Sequence, residues 1–149
     1  RHAPGCLGNA FGYEGLYLRS MMIYGIGIDV VEVDRIEAAI ERQGEAFVAR
    51  LFTQAERDYC ERQARPAMHF AARFAAKEAV SKAFGTGIGG QAGWLEIEVL
   101  RVESGAPKMF FHGNAAEFLK TEGISDVQIS LTHARDYAAA NAVAMRMPV

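Results

Sequence analysis

A chain of 149 residues, half of them hydrophobic, suits one domain with a modest core and leaves no room for two large ones. Its 16 basic and 18 acidic side chains give a formal net charge of −2; this excludes whole-molecule attraction to nucleic acid or an anionic membrane, so an acidic partner must meet a local basic patch. Two cysteines, Cys6 and Cys60, without a CxxC pair, indicate neither a disulfide framework nor a structural zinc site and fit a reducing cytosol. An apolar run of membrane-spanning length and a secretory signal pattern are both missing, so the expectation is a cytoplasmic protein.

Residues 1–21 are rich in glycine and small residues, with scattered aromatics and no periodicity. Met22 reads as a natural start, so 1–21 is expected to be an N-terminal extension, a leader or a cloning remnant, ahead of a domain over 22–149. From Ile23 to Val31 a β-branched run predicts a buried strand, with Gly25 and Gly27 permitting close approach of other backbone. After Asp34, apolar residues at Ile36, Ile40, Phe47, Leu51 and Phe52 recur at helical spacing around a break at Gly44, which predicts two short helices. Thr53-Gln54-Ala55-Glu56 is a capping box, opening a helix to about Arg65. Pro66 opens the next helix, made of strong helix formers from Ala67 to Phe84 and stopped by Gly85.

A glycine-rich loop, Gly85 to Gly90, follows. Trp94 to Val102 alternates, with Leu95, Ile97 and Val99 on one face and Glu96 and Glu98 on the other; with Lys108 to His112 it predicts a half-buried antiparallel hairpin turning at Gly105-Ala106-Pro107. Asn114 to about Glu122 reads as a short helix ended by Gly123. Strands at Val127–Thr132 and Tyr137–Met145 are joined by the turn His133-Ala134-Arg135-Asp136. The class is α+β, a single domain of antiparallel sheet packed with helices.

Chemistry concentrates in four places. Asp29, between Ile28 and Val30 in an apolar strand, is costly to desolvate without a compensating partner, either a basic side chain or a metal. On the long helix, Phe74, Glu78, Ser81, Lys82 and Gly85 share one face, so Glu78 and Lys82 project side by side; as an ordinary surface pair they contribute about 0.3–0.5 kcal/mol. Arg73 and Lys77 add positive charge. The glycine loop offers backbone N–H groups to phosphate oxygens, but it ends a helix rather than opening one and lacks the Gly-Lys-Ser/Thr of a P-loop, so by itself it reads as a helix stop. His133, at a strand end, reads as a ligand, a base, a phosphate contact or a merely solvated side chain. His69 and His112 are assigned no chemistry.

Taken together, Gly25-Ile26-Gly27-Ile28-Asp29, Arg35-Ile36, the run from Arg73 to Gly87 and Ser130-Leu131-Thr132-His133 resemble, in order and over Met22 to about Arg146, the small single-lobed phosphopantetheinyl transferases that act as holo-acyl-carrier-protein synthases. The resemblance implies transfer of 4′-phosphopantetheine from coenzyme A to a serine of an apo-acyl carrier protein, with release of adenosine 3′,5′-bisphosphate, in fatty acid biosynthesis. It implies Mg2+ held by Asp29 and Glu78. Lys82 would hold phosphate and assist the leaving group, and Glu78 would serve as base. Arg73 and His133 would contact coenzyme A, and Gly85-Thr86-Gly87 would shape the nucleotide pocket. Arg35 would meet acidic helix positions of the carrier, with Arg42 and Arg50 extending the patch and Glu37, Glu41 and Glu45 diluting it. The family further implies a homotrimer with active sites between subunits. Two alternatives stand beside this reading: a module that binds coenzyme A or a carrier without turnover, and a transferase for peptidyl or polyketide carriers.

Overall fold

The computed structural model describes residues 22–90 and 92–147. Strand β1 (Met22–Glu32) leads into helices α1 (Val33–Gln43), α2 (Glu45–Leu51) and α3 (Gln54–Glu61), then the long α4 (Pro66–Phe84). A 3₁₀ turn (Trp94–Glu96) precedes the hairpin β2 (Ile97–Arg101) and β3 (Pro107–Phe111), and α5 (Gly113–Glu122), β4 (Ile124–His133) and β5 (Tyr137–Arg146) complete the order. Strands β1, β5 and β4 form an antiparallel sheet in that order, and β2 and β3 form a second.

The fold is organised by α4. Its sequence is apolar on nearly every side, which suits a helix enclosed by other elements rather than one lying on a surface, and Ala71, Ala75, Ala76, Ala79 and Val80 are fully buried. Pro66 occupies its first turn, where a missing N–H costs nothing. At its end Gly85 adopts the left-handed conformation (φ 76°), and its N–H reaches Lys82 O while that of Thr86 reaches Ser81 O, the paired bonds of a Schellman stop.

Beneath α4 the sheet is built of small residues. Gly25, Gly27, Asp29 and Val31 alternate onto the helix side of β1 and pair with Ala144, Ala142, Ala140 and Ala138 of β5. A Cβ on Gly27 would lie 1.9 Å from Ala79 O, and one on Gly25 2.0 Å from Ala83 O. The strand glycines therefore let the helix backbone rest directly on the sheet, as their spacing predicts.

Around this pair, Phe52 stacks at a tilt on Phe70 with centroids 4.9 Å apart, and burial of each such ring contributes about 1.5–3 kcal/mol. The Thr53 capping box is present, and its Glu56 serves a second purpose. That carboxylate is wholly buried, accepts from Lys77 Nζ (2.6 Å) and Val99 N (3.0 Å), and ties α3, α4 and β2 together.

Three expectations change. The Ile26, Ile28 and Val30 side of β1 is 60–70% exposed, so the strand is buried on one face only. Trp94–Glu96 is a 3₁₀ turn that leaves Leu95 exposed, because Glu96 folds back onto Gly93 N and Ala115 N instead of alternating along a strand. Helix α3 ends at Glu61 rather than near Arg65; the Arg65 side chain instead reaches Arg135 O at 2.7 Å. The expected extension over 1–21 lies outside the described residues.

Candidate active site

Where Gly25 and Gly27 bring α4 onto β1, the next residue on the same strand face is Asp29. Lys82 Nζ donates to Asp29 Oδ1 at 3.0 Å and to Ile28 O at 2.9 Å. The acid is the enclosed member, its side chain 16% exposed against 53% for the lysine. Glu78, one turn before Lys82, completes the group. Burial first, and then the negative charge of Asp29, raise its carboxyl above the ordinary value, with Lys82 pulling the other way. Thus Asp29 and Glu78 act on each other electrostatically, and Lys82 bonds across to the strand rather than along its own helix. A surface Glu78–Lys82 pair is not what forms.

This arrangement is chemically specific. Two carboxylates whose charges repel provide hard oxygen donors for a cation that keeps part of its water or takes phosphate oxygens besides, so the residues fit Mg2+. Among the described residues no group of three or more His, Cys, Asp or Glu could hold a metal; a cation held by these two carboxylates would take its other ligands from water or phosphate. A carboxyl with a raised proton affinity is also better matched to accepting a proton near neutral pH.

The glycine loop leaves the site differently equipped than its composition suggests. The N–H groups of Gly85, Thr86 and Gly87 are all turned back onto Lys82 O and Ser81 O, and Thr86 Oγ1 donates to Gly87 O at 3.1 Å. Spent on closing α4, these amides cradle no anion, and what the loop contributes is shape. Lys77 is likewise withdrawn. It lies wholly inside, donating to Leu51 O, Trp94 O and Glu56, since position 77 faces the interior while 78 and 82 face β1's edge.

Arg73 and His133 fall in a second cluster nearer the start of α4. The Arg73 guanidinium lies 4.2 Å from the Tyr59 ring centroid, the side chain is 2% exposed, and its Nε finds no hydrogen-bond partner among the described residues. His133 meets His69 edge to face at 5.1 Å. His69 is the residue that the sequence left without a role. Its position one turn before Arg73, on the same helix face, is the signal that marks it.

The arginines on the first helices are exposed: Arg35 and Arg42, seven residues apart on one side of α1, and Arg50 on α2, which donates to Gln43 Oε1 at 3.3 Å. Two of the neighbouring acids are engaged elsewhere, Glu37 with Arg65 at 3.5 Å and Glu45 with Arg57. They dilute the patch less than their spacing suggests.

Comparison with known proteins identifies the family of the chain. The model of the 4′-phosphopantetheinyl transferase superfamily matches residues 25–142. A holo-[acyl-carrier-protein] synthase of Ruminiclostridium cellulolyticum is 50% identical over 119 residues, covering 79% of this chain and 89% of that protein. The one from Chlamydia trachomatis is 43% identical over 122 residues, covering 82% and 99%. Among solved structures, holo-[acyl-carrier-protein] synthase from Neisseria meningitidis superposes with a TM-score of 0.78 at 37% identity, covering 83% of this chain and 98% of the other. The Helicobacter pylori protein, in complex with coenzyme A, gives 0.72 at 30% identity over 80% and 98%.

Proposed function

Because the chain belongs to the 4′-phosphopantetheinyl transferase superfamily and is an enzyme of its holo-acyl-carrier-protein synthase class, we propose that it moves 4′-phosphopantetheine from coenzyme A to a serine of an apo-acyl carrier protein, with Mg2+, in fatty acid biosynthesis. The observation that carries this reading is the convergence of Asp29, Glu78 and Lys82 where α4 meets β1. Binding alone would not require a raised carboxyl beside an ammonium and a second carboxylate.

In this reading Glu78, directly or through a water, takes the proton of the serine hydroxyl as that oxygen bonds to the phosphorus of the pantetheine phosphate. The bond to the second phosphate breaks, and adenosine 3′,5′-bisphosphate leaves with the electron pair. Lys82 moves from Asp29 to the diphosphate and offsets the charge that develops on the leaving oxygen. Asp29 and Glu78 would hold Mg2+, which when bound neutralises diphosphate charge and polarises phosphorus. Arg73 and His133 contact coenzyme A, Gly85-Thr86-Gly87 bound the nucleotide, and Arg35, with Arg42 and Arg50, receives acidic positions of the carrier. We place the domain at 22–149, with 1–21 an N-terminal extension. We assign the protein to the cytoplasm, in keeping with the free, buried Cys60; among the described residues no helix is long and apolar enough to cross a membrane. The working unit is a homotrimer assembled through the exposed side of β1.

Intact-mass spectrometry of an apo-acyl carrier protein incubated with this protein, coenzyme A and magnesium is the direct test. A gain of one phosphopantetheine that vanishes with chelator is expected; carriers that stay unmodified in every case would refute the reading.

A further inference from the structure

The cluster around Tyr59 is unusual in its charges. His69 lies between two rings, Tyr59 at 5.8 Å and His133 at 5.1 Å, both edge to face. Arg73 caps the Tyr59 ring at 4.2 Å, and Arg101 approaches the same ring at 5.8 Å. These groups come from α3 (Tyr59), α4 (Arg73), β2 (Arg101) and β4 (His133); the charges that act on His69 are His133, Arg73 and Arg101, with no carboxylate among them, while Glu56 and Glu61 of α3 act, with Arg73, on Cys60. Arg73 is almost entirely enclosed, with an unmatched Nε. A nearly buried guanidinium with an unmatched N–H keeps a donor for an anionic ligand, and Arg101 adds a second positive charge at the same ring.

Coenzyme A carries two kinds of phosphate, the diphosphate that reacts and a monoester on its ribose. The helix rise puts Arg73 about 7.5 Å, and His69 about 13.5 Å, from Glu78 along α4. The second cluster is therefore displaced from the reacting diphosphate and suits the monoester. Resting on the transferase reading above, we propose that His69 is the proton-coupled member of this cluster. It takes up a proton as the ribose phosphate docks against Arg73 and His133, so that the grip on that phosphate strengthens as pH falls.

The sign follows from the charges. In the free protein, burial first and then His133, Arg73 and Arg101 hold His69 below the ordinary histidine value of 6.5, so it is neutral at pH 7. A phosphate monoester is close to a dianion there. Its charge opposes those cations and favours the imidazolium, which then donates to a phosphate oxygen. The complex thus holds more protons than the free protein. Affinity rises as pH falls through the bound-state value, at a limiting slope of about tenfold per pH unit for one proton, and levels off below the free-state value.

Calorimetry of coenzyme A binding at pH 7, in two buffers of different ionisation enthalpy, counts the protons taken up. His69→Phe keeps an aromatic ring against Tyr59 and His133 and removes the titration. The wild type is expected to take up a large fraction of a proton per coenzyme A, and both His69→Phe with coenzyme A and wild type with 3′-dephospho-coenzyme A to take up much less. Equal uptake by the variant and the wild type overturns the role of His69 while leaving the transferase reading intact. Failure of coenzyme A to bind the wild type overturns both. The His69 Cε1–H resonance of the wild type gives the same answer without relying on the variant's fold: its titration midpoint moves up with coenzyme A and moves less with the dephospho form, and a midpoint that coenzyme A leaves in place overturns the proposal.

Discussion

Lys77 and Glu78 are adjacent on α4, and a turn of about 100° between them gives them opposite uses. Lys77 points inward, where burial lowers its proton affinity and Glu56 works against that; with Glu56, Leu51 O and Trp94 O it fixes α4 against α3 and the hairpin. Removing one member of a buried pair strands the other's charge. Glu56→Gln is accordingly expected to cost about 3–5 kcal/mol of stability, read from chemical denaturation. Glu78 is the reverse case. Its folded-state carboxyl value is raised above the unfolded one, so the folded protein holds the proton more tightly and ionisation costs stability as pH rises through the raised value. Glu78→Gln should therefore be no less stable than wild type at pH 7, and the difference should shrink below pH 4.5, where both states are protonated. Carrier modification should fall by at least about 10²-fold, the usual scale for a lost general base. Loss of stability matching the loss of activity would mean that Glu78 is part of the packing. That Arg73 to Lys82 lie on one helix, with Glu78 and Lys82 a turn apart, was legible in the sequence. That Lys77 is structural and that Lys82 bonds to Asp29 was not, because helical spacing fixes neighbours on one helix and is silent about what the facing element presents.

At the scale of elements, the contact of α4 with β1 sets the site. The Ala79 carbonyl occupies the place of a Gly27 side chain, and both members of that clash are backbone, so Gly27→Ala can be relieved only by lifting the helix. Overpacking of this kind costs about 1–3 kcal/mol, and the lift also separates Lys82 from Asp29. Turnover measured well below the melting transition should fall by more than the folded fraction does; activity that simply tracks the folded population would show that the close approach serves stability alone. The strand glycines, the capping box, the Pro66 start and the Gly85 stop were all legible, since each depends on local backbone chemistry. The 3₁₀ turn at Trp94 escaped because it depends on Glu96 reaching Ala115 N on a distant helix, and alternation over Trp94–Val102 carries no trace of that bond.

For the molecule as a whole, the informative error is the strand read as buried. Its hydrophobic run was read correctly as a surface that water does not favour, but within one chain only the Gly25, Gly27 and Asp29 side is covered. Ile26, Ile28 and Val30 stand exposed, across from Val143, Asn141 and Ala139 of β5. An apolar strip of this kind beside the site suits an interface between copies. Sequence periodicity registers that a face is apolar and not whether the same chain or another covers it, which is why the expectation of a trimer rests on resemblance and not on pattern. Ile28→Glu tests the point with the active side of the strand left in place, because residue 28 points away from α4 while Asp29 points toward it. A carboxylate there desolvates on assembly without a partner. Light scattering should show a trimer for the wild type and a monomer for the variant, with far-UV circular dichroism unchanged and carrier modification strongly reduced. A variant that falls to a monomer yet keeps full turnover would place the whole catalytic site within one chain; a wild type that is already monomeric at micromolar concentration would leave the strip to some other partner.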